Sequence, residues 1–327
     1  MRKRTIMRWV AMGVFGMTML AGISAQAQDY PNRPIQVTVP FAGGSASDVV
    51  TRIMLDRMAK ILGQPFIVDN RPGAGGNTGT LAAARTTPDG YTLVMSTVGP
   101  LAANRTLFKS LGYDPEKDFT PISLFAILPN VIVINSKLPP KTLTELVAYA
   151  KQHPKELNYG SVGVGSSQHL AGAYFDQVTA VELVHVPYRN IAQYTPDFIG
   201  GQVPLGFQFL PNVVGLLQSG DARALAVTTG KRMTALPDVP TAAEAGVKDY
   251  ETFGWLALLG PRGMPKPVVD KLYKALEEAV NDPTVRGRFV EQGAEGVSPG
   301  PEELQKFIAS EAAKWKAIIL KAGIEPM

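Results

Sequence analysis

Apolar residues recur along this chain in two alternating periods. Residues 35–41 alternate as a strand does, and Gly43-Gly44-Ser45 breaks the run. Val50, Ile53, Met54, Met58 and Ile61 then repeat on one helical face. The rhythm continues with a strand over 66–69, a glycine-rich loop from Asn70 to Gly79, a short helix over 81–85 and a strand over 91–97. Gly99-Pro100 opens another helix. Strands alternating with helices in this way predict an α/β fold whose sheet is mainly parallel.

The pattern shifts after Asp118. Residues 120–127 read as a long connecting strand, and 131–134 begin a new sheet. Thr142 and Glu145 make a capping box for a helix to Gln152. Strands over 157–161, 182–186, 203–209 and 222–228 follow, with helices between them, one of them ending at Ile199 and another over 213–217. Thr241 and Glu244 are expected to cap a short helix, and 252–259 to cross back as a strand. Three helical stretches, 265–280, 283–292 and 301–322, close the chain and find their natural partner in the first unit. The organisation expected is two lobes, 28–127 with 252–327 and 128–251, joined by two crossing strands.

Two strand-to-helix turns carry the candidate chemistry. In the first, Ser45 and Asp48 have capping-box spacing after Gly43-Gly44. In the second, Gly163 and Gly165 lead to Ser166 or Ser167, which cap a helix bearing Leu170, Tyr174 and Val178 on one face. A helix start leaves N–H groups unpaired and carries partial positive charge, so it holds an anion without a charged side chain. Glycines admit the anion to the backbone, and the Ser161, Ser166 and Ser167 hydroxyls add donors. The alternative at each turn is an ordinary strand-to-helix connection that caps itself. In open α/β sheets ligands sit beyond the carboxyl ends of the strands, so two such edges face to face make a cleft suited to a carboxylate.

Composition narrows the picture. With 327 residues and 45% hydrophobic content the chain can bury a large core. Arg2, Lys3, Arg4 and Arg8, an apolar run from Trp9 to Ile23 and Ala25-Gln-Ala27 form a cleavable export leader, residues 1–27, cut after Ala27. Removing those four cations from 32 basic residues leaves 28 against 28 acids, so no nucleic-acid footprint is expected. The product should be a soluble exported protein. The absence of cysteine excludes disulfides and thiolate metal sites, and His153, His169 and His185 are too scattered to form a histidine site. No metal, cofactor or catalytic residue is expected. No G-x-S-x-G elbow occurs, and neither glycine cluster, 163–165 or 73–79, gives a G-x-G-x-x-G fingerprint or a Walker loop. Two function classes remain: a binding protein closing by a hinge on a small organic acid, and an exported α/β hydrolase or lyase using a serine, for which no base and orienter are evident.

Several blocks now fall into order: Tyr30-Pro-Asn-Arg-Pro34, Val39-Pro-Phe41 with Gly43-Gly44 and Asp48, Val68-Asp-Asn-Arg-Pro-Gly-Ala-Gly-Gly76, Pro88-Asp-Gly-Tyr-Thr-Leu93, Gly165-Ser-Ser-Gln-His-Leu170, Val186-Pro-Tyr188, and Leu236-Pro-Asp-Val-Pro-Thr241 with Glu244-Ala-Gly246. Together they resemble the periplasmic solute-binding proteins of tripartite tricarboxylate transporters, the Bug family, over nearly all the mature chain. The resemblance implies a two-lobed, type II Venus-flytrap protein, expected to be a monomer, that delivers a carboxylate to membrane permease subunits. It also implies that the ligand carboxylate lies between the two glycine turns, here Phe41 to Asp48 and Ser161 to His169, held largely by backbone groups, hydroxyls and water.

The candidate ligand-binding residues are Phe41, Ala42, Gly43, Ser45, Asp48, Ser96, Ser161, Gly163, Gly165, Ser166, Ser167, His169, Tyr188, Arg189 and Gln208. Each has a second reading. Asp48 suits a helix cap, His169 a packing or loop contact, and Arg189 a second carboxylate or a solvated loop clamp. Phe41 and Tyr188 suit pocket walls. Asn190 stands where the family usually has Gly, and Gln208 where a strand commonly ends in aspartate. Gln208 is either near the distal part of a ligand or a surface or hinge residue.

Overall fold

The computed structural model describes residues 30–327, so the expected leader and its cut after Ala27 lie outside the described residues. The first unit runs β1 (Ile35–Val39), α1 (Ala46–Leu62), β2 (Phe66–Asn70), α2 (Asn77–Ala84), β3 (Thr92–Thr97), α3 (Asn104–Leu107) and β4 (Phe119–Asn135). The second runs α4 (Leu143–Gln152), β5 (Asn158–Ser161), α5 (Ser167–Thr179), β6 (Val184–Pro187), α6 (Ile191–Gly200), β7 (Leu205–Phe209), α7 (Leu210–Ser219) and β8 (Ala222–Val227). Then β9 (Phe253–Pro261), α8 (Lys266–Asn281), α9 (Pro283–Glu291), β10 (Glu295–Gly296) and α10 (Pro301–Lys321) close the chain.

Each half carries a parallel trio, β2-β1-β3 and β6-β5-β7. The antiparallel pairs come from the crossing strands: β9 lies between β3 and β4, and β4 pairs with β7 and β8. The three C-terminal helices pack on the first unit. Val268, Leu272, Leu276 and Phe289 share a core with β1 and α1, while Trp315 and Ile319 share one with Leu101 and Trp255.

Two expectations change. The strands expected at 120–127 and 131–134 are one 17-residue strand, so the hydrogen-bonded path is continuous between the halves. Pro129 lies in the gap between those two expected strands, and proline cannot donate to a ladder. At Pro129, however, the partner changes: β9 pairs up to that residue and β7 takes over at Asn130. The Thr241/Glu244 box does form, with Glu244 N–H donating to Thr241 Oγ1 and Thr241 N–H to Glu244 Oε2, but it closes a turn and no helix follows.

Asn130 ties the two crossings together. Its Nδ2 donates to Phe207 O at 2.9 Å, its N–H to Thr228 Oγ1 at 3.1 Å, and its Oδ1 accepts from Ser167 Oγ at 3.2 Å. Thr228 Oγ1 donates onward to Thr252 O, on the return crossing. Asn130 is fully buried, so Asn130→Ala strands both Phe207 O and Ser167 Oγ. We expect a loss of about 2–3 kcal/mol in urea unfolding. A change below about 0.5 kcal/mol, the ordinary surface range, would show that the knot carries no stability.

Candidate ligand-binding site

Strand ends and helix starts from both halves enclose a cavity of about 340 Å³. The α1 start contributes Phe41 through Ser47, and the end of β3 contributes Thr97. From the second half come Val162, Ser167 and Gln168 before and in α5, Arg189 through Ala192 at α6, and Phe209 and Asn212 at α7.

The caps explain why these starts face the cavity with free donors. Ser45 Oγ accepts from Asp48 N–H, Ser166 Oγ from His169 N–H, and Asn190 Oδ1 from Gln193 N–H. Each cap therefore serves the third helical residue. The first two amides, at Ala46 and Ser47, Ser167 and Gln168, and Ile191 and Ala192, form no hydrogen bond among the described residues. All six residues line the cavity. Among the described residues, Arg189 is the one charged side chain in the lining, and no acid is present there. The resulting potential is positive and diffuse, made mostly of peptide dipoles.

Of the residues predicted from the sequence, Phe41, Ala42, Gly43, Ser45, Ser167 and Arg189 line the cavity. The others stand behind it. Asp48 is buried and accepts from Gly44 N–H, Arg52 Nε and Asn70 Nδ2, each at 2.9 Å. Burial alone would raise its pKa, but these bonds outweigh that and hold it below the usual carboxylate range. Its role is to shape the first turn. Ser96 is fully buried against Thr80, 3.0 Å between hydroxyls. Tyr188 turns its hydroxyl to Asp197 at 2.6 Å and does not wall the cavity. Gln208 is neither surface nor lining: fully buried, it donates to Gly160 O at 2.9 Å and accepts from Asn212 Nδ2 at 3.3 Å, which orients Asn212 at the cavity edge.

Gly163, Gly165 and Ser166 shape the second turn, and the turn meets the first unit. A Cβ on Gly165 would lie 1.9 Å from Asn104 Oδ1, one on Gly99 2.2 Å from Gly165 O, and one on Gly75 2.1 Å from Val164 O. This glycine-to-glycine approach brings two backbones together.

Ser161 and His169 belong to a buried layer beneath the turn. Ser161 Oγ lies 2.6 Å from His185 Nε2, and His169 Nδ1 accepts from Gly165 N–H at 3.2 Å. The two imidazoles pack 4.2 Å apart. A Ser–His pair invites comparison with a hydrolase, but Ser161 is 1% exposed, does not line the cavity, and no carboxylate among the described residues bonds to His185. Burial lowers His169 to about 4, and burial with the neighbouring His169 lowers His185 to about 3. Both rings are neutral at neutral pH. Because the unfolded rings protonate near 6.5, their contribution to stability is complete above that pH and is lost as pH falls towards 4 and then 3. Asp176 works in the opposite sense, since burial raises it to about 7. The clean readout is therefore the rings themselves: their NMR resonances should not titrate between pH 8 and about 5. A midpoint near 6.5 for either ring would contradict the packing described.

The two turns bounded from the sequence, 41–48 and 161–169, contain Gly44, Ala46, Ser47, Val162 and Gln168, which line the cavity without having been singled out, whereas Thr97, Ile191, Ala192, Phe209 and Asn212 were missed altogether. Part of the signal was present. Asn190 with Gln193 and Phe209-Leu-Pro-Asn212 are also strand-to-helix starts, and the rule applied to two starts extends to four.

Comparison with known proteins decides between the two function classes. The family described as "Tripartite tricarboxylate transporter family receptor" matches residues 50–324. The chain belongs to this family. Protein BugT of Bordetella pertussis is 36% identical over 314 residues, covering 95% of this chain and 96% of BugT. The structure of the periplasmic binding protein BugD superposes with a TM-score of 0.85 at 36% identity, covering 91% of this chain and all of BugD. Rpa4515 of R. palustris, solved with adipate, gives 0.88 at 37% identity, covering 91% of this chain and 100% of that one. MatC from Rhodopseudomonas palustris, with bound malate, gives 0.83 at 33%, covering 89% and 100%. This tripartite tricarboxylate transporter receptor is a solute-binding protein of two-lobed α/β architecture, and the serine hydrolase alternative falls away.

Proposed function

We propose that this receptor captures a small organic carboxylate in the cavity between the α1, α5, α6 and α7 starts and delivers it to the transporter's membrane permease. The lobes that close on it are residues 28–127 with 252–327 and residues 128–251, with the hinge at Pro129–Asn130 and at the return crossing. It acts as a monomer in the periplasm, after removal of the leader at Ala27. The observation that carries this reading is the convergence of six unpaired helix-start amides on a cavity holding one cation and no acid. Adipate in Rpa4515 and malate in MatC support the ligand class. Arg189, at the α6 side, serves a second anionic group, and Phe41, Ile191 and Phe209 provide apolar wall for the carbon chain.

A melting screen of the mature protein against mono-, di- and tricarboxylates tests this. A ligand at a thousandfold excess over Kd stabilises by about 4 kcal/mol. A panel in which no acid raises the melting temperature would contradict the reading.

A further inference from the structure

Three side chains in the cavity wall are left over once a carboxylate has been seated on the helix-start amides. Ser47, Thr97 and Gln168 all line the cavity and are 7%, 5% and 3% exposed. None forms a side-chain hydrogen bond among the described residues, although buried polar groups normally do. Their neighbours are accounted for: Ser45 Oγ caps α1, Ser167 Oγ is bonded to Asn130, and Asn212 Nδ2 to Gln208. Among the lining side chains that are nine-tenths or more buried, the unmatched capacity is therefore concentrated on these three groups. The half-buried Asn190 Nδ2 and Asn212 Oδ1 and the exposed Arg189 also form no side-chain hydrogen bond among the described residues.

Their chemistry says what is missing. A carboxylate offers acceptors only. It can take the amides and the hydroxyl donors, but Gln168 also presents Oε1, an acceptor that no carboxylate oxygen satisfies. The partner of Oε1 must carry a hydrogen. An ammonium group would enter a cavity with no acidic side chain to compensate its charge. A hydroxyl supplies the hydrogen without charge, and its oxygen in turn accepts from Gln168 Nε2 or from the Ser47 and Thr97 hydroxyls.

We infer that Gln168 is a specificity-determining residue that reads a hydroxyl on the carbon chain of the ligand, with Ser47 and Thr97 completing its hydrogen bonds. The ligand is then a hydroxylated carboxylate and not a bare alkyl acid. This rests on the carboxylate reading above. It adds the substituent beside the acid group, and it names Gln168, which lies outside the glycine and serine positions of the turn.

The test is calorimetric titration with matched pairs, succinate against malate and adipate against 2-hydroxyadipate, using both enantiomers of each hydroxy acid. In the wild type one enantiomer of a hydroxylated acid should bind about tenfold or more tightly than its bare partner, the worth of one good buried hydrogen bond. In Gln168→Leu that ratio should collapse to near one, with the ligand-free melting temperature reporting that the variant is folded. Equal binding of both members in the wild type would overturn the inference and assign Oε1 to an ordered water. A ratio that survives in Gln168→Leu would also overturn it, by placing the discrimination elsewhere. If neither member of any pair binds, the carboxylate reading itself fails and the inference with it, a result distinct from binding without discrimination.

Discussion

Gly165→Val should cost about a hundredfold or more in ligand affinity while the protein remains folded. Gly165 sits at φ +80°, where an L residue is strained by roughly 1–3 kcal/mol and a β-branched one is worst placed. The new Cβ would also lie 1.9 Å from Asn104 Oδ1. Asn104 cannot step aside easily: it is fully buried and its Nδ2 donates to Asn77 Oδ1 at 2.6 Å. The strain therefore falls on the approach between the two halves. The sequence suggested that a side chain here would block the backbone from a bound carboxylate. Gly165 does not line the cavity, so the loss comes instead from holding the second turn, with Ser167 and Gln168, away from the first. Ligand calorimetry with a melting curve separates the two consequences, and small-angle scattering reads the lobe separation. Wild-type affinity in a folded Gly165→Val protein would show that the glycine approach is not needed for binding.

Much of this was legible because local rules agreed with the fold. The Ser45 and Ser166 caps and the apolar faces of the C-terminal helices follow from residue spacing. What was not legible depends on strands that are far apart in sequence. Pro129 reads as a strand end, yet the ladder needs no N–H there because the neighbour changes at that point. The Thr241 and Glu244 spacing encodes the cap but not the helix. Nothing local shows that the segment stops at a turn held by a bridge between Val227 and Thr241. The candidate site divides in the same way. Sequence located the two turns, while Thr97 and Asn212 reach the cavity through the order of strands in the sheet. Gln208 was drawn to the site by its place at a strand end, but its side chain is spent on Gly160 and Asn212.

The second large effect concerns the ligand's charge. The unpaired amides at α1, α5 and α6 supply oriented donors and partial positive charge, each helix start stabilising an anion by about 0.3–1 kcal/mol when exposed and up to about 2 kcal/mol when partly buried. Their sum should exceed what Arg189 contributes, because Arg189 is exposed and forms no ion pair among the described residues. Arg189→Ala should therefore leave most of the affinity for a monocarboxylate, while weakening a dicarboxylate through its second group. A buried arginine–carboxylate pair would behave differently, costing on the order of 3–5 kcal/mol when broken. The most direct measurement is calorimetric titration of the wild type and Arg189→Ala with one carboxylate that binds and with its primary amide. The account predicts that the acid binds both proteins within about tenfold, a difference of roughly 1.4 kcal/mol, and that the amide binds neither. Tight binding of the amide, or collapse of monocarboxylate binding in Arg189→Ala, would contradict it.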